Sequence, residues 1–227
     1  MQESTKLAVT ELVRSLQPKS VLDAPCGKGW MVKEFGADTV VDGLDLYEAP
    51  PENYRTFQRC DLDNGIPEEL PLYDLITCCE GMAYLGNPEL FLRNAREHLT
   101  QDGTLLISTP SVWSPESRLQ FGLRGFFPGH PCLAGRVKKG THMHIMHWSF
   151  PQLFLFLRLT GFSQIRIHEQ PLGVPKHFYE RILAIPQQIH CKLKQSRAKN
   201  AEELDFWKSA GSGPSIFGRN LIVTAKV

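Results

Sequence analysis

Short aliphatic and β-branched runs near 20–24, 39–44, 56–60, 73–79, 104–109, 164–169 and 221–226 alternate with helix-period segments through the first two thirds of the chain. This alternation constrains the fold more than any other feature, because strands separated by helical crossovers build a mostly parallel sheet with helices on both faces. The expected fold is α/β: a doubly wound, seven-stranded, mostly parallel sheet. Within it, 88–99 places Leu90, Phe91, Ala95 and Leu99 on one helical face, opposite Arg93, Arg96 and Glu97. Gln101-Asp102-Gly103 is then read as a turn, with Gly103 at positive φ before the strand TLLIST.

A chain of 227 residues suits a single domain over 1–227. Residues 110–149 are rich in Pro, Gly, His and aromatics and are too long for an ordinary connection. They are read as a lid or substrate-binding insertion. Residues 172–219 are read as a helical insertion before the last strand, and the N-terminus as an amphipathic helix without a secretory leader.

Lys and Arg number 25 and Asp and Glu 24, a formal net charge of +1, so no positive field gathers nucleic acid. Six cysteines without CxxC spacing read as reduced thiols and favour a cytoplasmic location. The adjacent Cys78 and Cys79 fall in an apolar run and are expected to pack rather than react. The most apolar segment, 150–159, is about half the length of a membrane span and carries Arg158, so stable insertion is not expected. The basic run Lys192, Lys194, Arg197 and Lys199, followed by Glu202, Glu203 and Asp205, reads as a solvated helical face, with lipid-surface contact the less favoured alternative.

The chemistry-bearing segments come directly after the strands. VLD runs into APCGKG, where Gly27 and Gly29 let a ligand approach the backbone at the sheet's switch point, and Asp23 could accept from a ligand ammonium. A plain left-handed turn is the competing explanation. VVDGLDLYE sets Asp45 about 20 residues further on, where an acid can hold ribose hydroxyls or can merely cap the next helix. In CDLDNGIP, Asp61 could accept an adenine amino hydrogen or form an Asx turn. The loop lacks the third glycine of GxGxxG, which disfavours a nicotinamide oxidoreductase.

Together these segments resemble the class I S-adenosylmethionine-dependent methyltransferases of the small-molecule and glycan type, in register from about 20 to 110. The resemblance implies a Rossmann-like methyltransferase fold with S-adenosylmethionine as donor and S-adenosylhomocysteine as product. It assigns the methionine portion to Asp23, Ala24, Pro25, Gly27 and Gly29, and the ribose to Asp45 and Leu46. Asp61 and Leu62 take the adenine, and Glu80 completes the cofactor set. Pro25 replaces the family's first glycine and removes a backbone donor. Ala83-Tyr84 stands where many relatives carry Glu-His, so that histidine's role does not transfer; Tyr84 substitutes for it or packs.

THMHIMHW clusters His142, His144 and His147. His144 is the preferred base for a hydroxyl acceptor, supported by the family's His-Ile pair, here His144-Ile145. A lid histidine bonded to buried carbonyls is the alternative. A metal reading of H-x-H-x-x-H lacks a fourth ligand, and no metal is expected. Trp113, Arg118, His142 and His147 are the candidate acceptor contacts, with Phe121, Phe126 and Phe127 in the same insertion. The expected activity is O-methylation of a small-molecule or glycan-type acceptor. The competing functions are a non-catalytic S-adenosylmethionine-binding regulatory subunit and a nicotinamide oxidoreductase.

Overall fold

The apolar runs pair much as their spacing predicts. A computed structural model describes residues 2–47, 54–127, 145–170 and 173–227. His142 and His144 lie outside the described residues. The strands are β1 Ser20–Asp23, β2 Val40–Asp45, β3 Thr56–Arg59, β4 Tyr73–Cys79, β5 Leu99–Pro110, β6 Ser163–Ile167 and β7 Asn220–Lys226. They form one sheet in the order β3-β2-β1-β4-β5-β7-β6. β1 to β5 pair in parallel, and β7 runs antiparallel to both β5 and β6. The strand order reverses between β1 and β4, which opens a crevice at their C-terminal ends. Asp23 stands level there with Gly43 on β2 and Thr77 on β4.

Period-two alternation divides the core between the two faces. Leu22, Ile76, Leu105 and Val223 face α2 (Pro88–Glu97) and α4 (Phe150–Leu159), which bury Phe91, Leu92, Phe150 and Leu153. Val21, Leu75, Leu106 and Ile222 face Val9 and Val13 of α1 (Glu3–Leu16).

Two expectations are corrected. Full helices do not fill every crossover: β1 reaches β2 with only the 3-10 turn Met31–Glu34, and β3 reaches β4 with the 3-10 turn Leu62–Asn64. Helix α1, before β1, supplies cover on the first of these sides. Residues 101–103 are not a turn ahead of β5 but lie within it, where pairing jumps from Tyr73↔Leu99 to Leu75↔Thr104. Gly103 is outside the positive-φ set; glycine is needed because a Cβ would stand 2.9 Å from the Thr100 carbonyl oxygen.

The insertions fold into helices with legible caps. In α3 (Pro115–Arg124) the Ser114 side chain accepts from Ser117 N and Gly125 ends the helix at φ +77°. The second insertion carries α5 (Phe178–Gln195), α6 (Ala201–Ala210) and α7 (Gly213–Phe217).

Candidate functional site

The loop after β1 is held by its neighbours and by one bond of its own, Gly29 N donating to Cys26 O at 3.0 Å. Ala24 N donates to Thr77 O, Cys26 N to Leu44 O, and Gly27 N to Asp45 Oδ2 at 2.8 Å. Gly27 and Gly29 stand at φ +55° and +71°, where a side chain is strained. The other oxygen of Asp45 accepts from Tyr47 N at 3.1 Å. A carboxylate offers about four acceptor positions, so two remain for a ligand. Asp61 accepts from Asp63 N, and Asp63 in turn accepts from Gly86 N and Asn87 N, bracing the wall behind it.

These groups converge on a cavity of about 300 Å³ at the C-terminal ends of β1, β2 and β4. Its lining joins Pro25 and Gly27 to Asp45, Leu46, Asp61 and Leu62, and Tyr84 forms part of the same wall. Three acids, Asp45, Asp61 and Asp63, beside leucines and two tyrosines suit a nucleoside, whose hydroxyl and amino hydrogens need acceptors and whose base needs apolar flanks. Gly27 has no atom within 4 Å of where a Cβ would stand, so the backbone faces open space there. Gly81 is the opposite case, its absent Cβ falling 2.3 Å from Pro25 Cδ.

Not every predicted residue reaches this cavity. Asp23 is 2 % exposed and is outside the lining. Tyr54 donates to one of its oxygens at 2.5 Å and Thr77 to the other at 2.8 Å. Burial pushes its carboxyl up to about 6, against the lowering effect of those two bonds. Asp23 therefore underpins the loop and is not open to a ligand ammonium. Glu80 is also outside the lining; it ends β4 at φ +62°, a left-handed conformation uncommon outside glycine. Burial raises its carboxyl, and its Oε1 is buried without a hydrogen-bond partner among the described residues. Burial likewise raises the Cys78 and Cys79 thiols, as packing residues require.

A second cavity of about 230 Å³ opens beyond the end of β5, lined by Ser111, Ser114, Glu116, Gln120, Met146 and His147, among others. Ile145 N and Met146 N both donate to Ala83 O, which ties this wall to the segment carrying Tyr84. Of the predicted acceptor contacts among the described residues, His147 alone lines it, stacked on Phe127 at 5.4 Å. Trp113 and Arg118 do not; an Arg118 Nη2 hydrogen is given to Leu183 O, pinning α3 to α5. Among the described residues no group of three or more His, Cys, Asp or Glu is placed to hold a metal.

Sequence reasoning missed Tyr54, Asp63, Gly81 and Arg219. Arg219, beside the second cavity, binds both Glu116 and Glu180. Asp63 alone left a trace, in the repeated acid of DLDN; the others act across the fold.

The family model described as a methyltransferase domain matches residues 1–154. The chain belongs to this family. Curated relatives of this methyltransferase include the ubiquinone biosynthesis O-methyltransferase of Vibrio campbellii, 23% identical over 172 residues covering 68% of this chain and 69% of the relative. The protein of the same name in Vibrio vulnificus is 25% identical over 140 residues, covering 56% of each. The chain thus spans between about half and two thirds of these relatives. Among solved structures, a plantazolicin methyltransferase in complex with SAH superposes with TM-score 0.58 at 17% identity, over 99% of this chain and 85% of that one. A SAM-dependent methyltransferase from Archaeoglobus fulgidus gives TM-score 0.58 at 16% identity, over 98% and 93%. The fold is that of the class I methyltransferases.

Proposed function

We propose that this methyltransferase transfers the methyl group of S-adenosylmethionine to a hydroxyl oxygen of a small-molecule or glycan-type acceptor. The observation that carries this reading is the convergence of Gly27, Asp45, Asp61, Leu62 and Tyr84 on one cavity at the strand-order reversal. Asp45 and Leu46 would take the ribose, and Asp61 and Leu62 the adenine. The O-methyltransferase names of the curated relatives favour oxygen as the acceptor atom.

A sulfonium donor supplies an already activated methyl group, so the chain has to align the nucleophile, exclude water and remove one proton. The second cavity would seat the acceptor, with His147 in its wall and the Ala83 carbonyl fixing that wall beside the first. His144 is proposed as the proton acceptor, and Tyr84 as the group that closes the donor cavity on the acceptor side.

Calorimetric titration with S-adenosylmethionine, S-adenosylhomocysteine and NAD tests the donor assignment. Both adenosyl ligands are expected to bind. Asp45→Ala is expected to weaken them about 10- to 100-fold, the loss of hydrogen bonds to a charged group. Affinity for NAD with none for the adenosyl ligands would overturn the assignment.

A further inference from the structure

Helix α5 is built inside out. Its buried face is Glu180, Ala184, Gln187 and Cys191, while Phe178, Ile182, Ile185, Ile189 and Leu193 point outward. Their spacing of four, three, four and four residues keeps them on one stripe along the helix. The exposure is large: 79% for Phe178, 58% for Ile182 and 53% for Ile189. Helix α3 packs alongside through Arg118 and adds Leu119 and Leu123, the latter 78% exposed. An apolar stripe of this kind, opposite a buried face where Glu180 and Gln187 stand beside Ala184 and Cys191, marks something that covers it.

Charge identifies the cover. Over 173–199 the bases are Lys176, Arg181, Lys192, Lys194, Arg197 and Lys199, and the one acid, Glu180, is buried against Arg219 at 3.0 Å. On α3 the one acid, Glu116, is also bound to Arg219, while Arg124 is exposed. The acids of the neighbouring α6 are engaged: Glu202 with Arg158, Asp205 with Lys208, and Glu203 with the amide of Lys199. On α5 and α3 themselves the exposed charges are therefore cationic, while Glu203 of α6, met only by an amide, keeps its charge. A second copy docked face to face would bring like charges together, whereas an anionic surface meets both halves of the pattern.

We propose that the α3–α5 face docks on an anionic lipid bilayer, with α5 lying flat and its isoleucines sunk to the headgroup boundary. The 18 residues of α5 give a contact about 27 Å long. The basic run is exposed, as its sequence suggests, and the proposal concerns a surface rather than a span: among the described residues no helix is long and apolar enough to cross a membrane.

Flotation of the full chain with vesicles of phosphatidylcholine alone, and of phosphatidylcholine with phosphatidylglycerol, tests the proposal. Binding is expected to the anionic vesicles and to weaken at least tenfold without the anionic lipid. Lys192→Glu with Arg197→Glu is expected to reproduce that loss, and Ile185→Asp with Ile189→Asp to abolish flotation in any salt. Unchanged circular dichroism and unchanged S-adenosylhomocysteine affinity would show that these exposed substitutions leave the fold intact. No flotation with anionic vesicles, or flotation indifferent to the Ile185 and Ile189 pair, overturns the proposal. So does a dimer in light scattering that the same pair converts to monomer while vesicles fail to bind, which would assign the face to a second copy.

Discussion

The two cavities of this methyltransferase, proposed above as the donor side and the acceptor side, are flanked by buried acids handled in opposite ways. Beside the donor cavity, Asp23 and Asp45 are met by neutral donors: the hydroxyls of Tyr54 and Thr77, and the amides of Gly27 and Tyr47. Beside the acceptor cavity, Glu180, 2% exposed, is met by the guanidinium of Arg219, which also holds Glu116. Neutral donors fix a carboxylate's direction without cancelling its charge, so Asp45, which lines the cavity, can still receive hydrogen bonds from a ligand. A cation cancels the charge and makes the acid a clamp between α3, α5 and the start of β7. The distinction operates even along one strand. Asp42, three residues before Asp45 and on the opposite face, is held by Arg55, Thr56 and Tyr73.

The clamp should show the largest effect. Arg219→Met leaves Glu180 buried without its cation and is expected to lower unfolding stability by about 3–5 kcal/mol in urea denaturation. Pairing it with Glu180→Gln should recover much of that loss. If Arg219→Met costs nothing, the two sides do not differ as described.

The next effect, about 3 kcal/mol, is a pH dependence at Asp23. Its folded value of about 6 lies above the ordinary 3.8, so the unfolded chain ionises first. Stability contributed by this group is full below 3.8 and is lost as pH rises through 6; Asp23→Asn should remove that slope from the stability profile. Asp42 has the opposite sign. Burial alone would raise it, but the bonds from Arg55, Thr56 and Tyr73 outweigh burial and hold it below 3.8. Its contribution is present above 3.8 and is lost on acidification, so Asp42→Asn should flatten the acid limb alone.

Smaller effects separate the two glycines of the donor wall. Gly81→Ala forces a Cβ against the Pro25 ring and is expected to cost about 1–3 kcal/mol of stability. Gly27→Ala meets no neighbour, so only its positive φ is penalised, by about 1–2 kcal/mol. Thermal melts with and without S-adenosylhomocysteine would distinguish them: Gly27→Ala should lose more of the ligand-induced shift than of the intrinsic melting temperature.

The donor side was the more legible because its information is local. A buried parallel strand announces itself as a short apolar run, and Asp45 stands out through its distance from the glycine loop. The acceptor side depends on groups that sequence distance conceals: Arg219 lies 103 residues from Glu116. Tyr54 likewise reaches Asp23 across 31 residues, and nothing in either segment forecasts the bond. Residues 101–103 carried a turn signature because Asp and Gly favour turns, yet they form an irregularity within β5, between the Leu99 and Thr104 pairings with β4. In α5 the helical period was readable but the direction of its faces was not, since only tertiary packing reveals that the isoleucines point outward.

The contact between Pro25 and the bare α-carbon of Gly81 also governs the order in which this site could change its sequence. While the proline ring is present, position 81 admits no side chain without displacement. Were position 25 to become glycine first, the tightest obstacle at position 81 would go, leaving Cys78 Sγ, 2.9 Å from the added Cβ, to shift. The two positions, 56 apart in the chain, form a one-way door: a substitution at 81 costs more when it comes first than when it comes second. A double-mutant cycle between them would read that dependence as a departure from additivity.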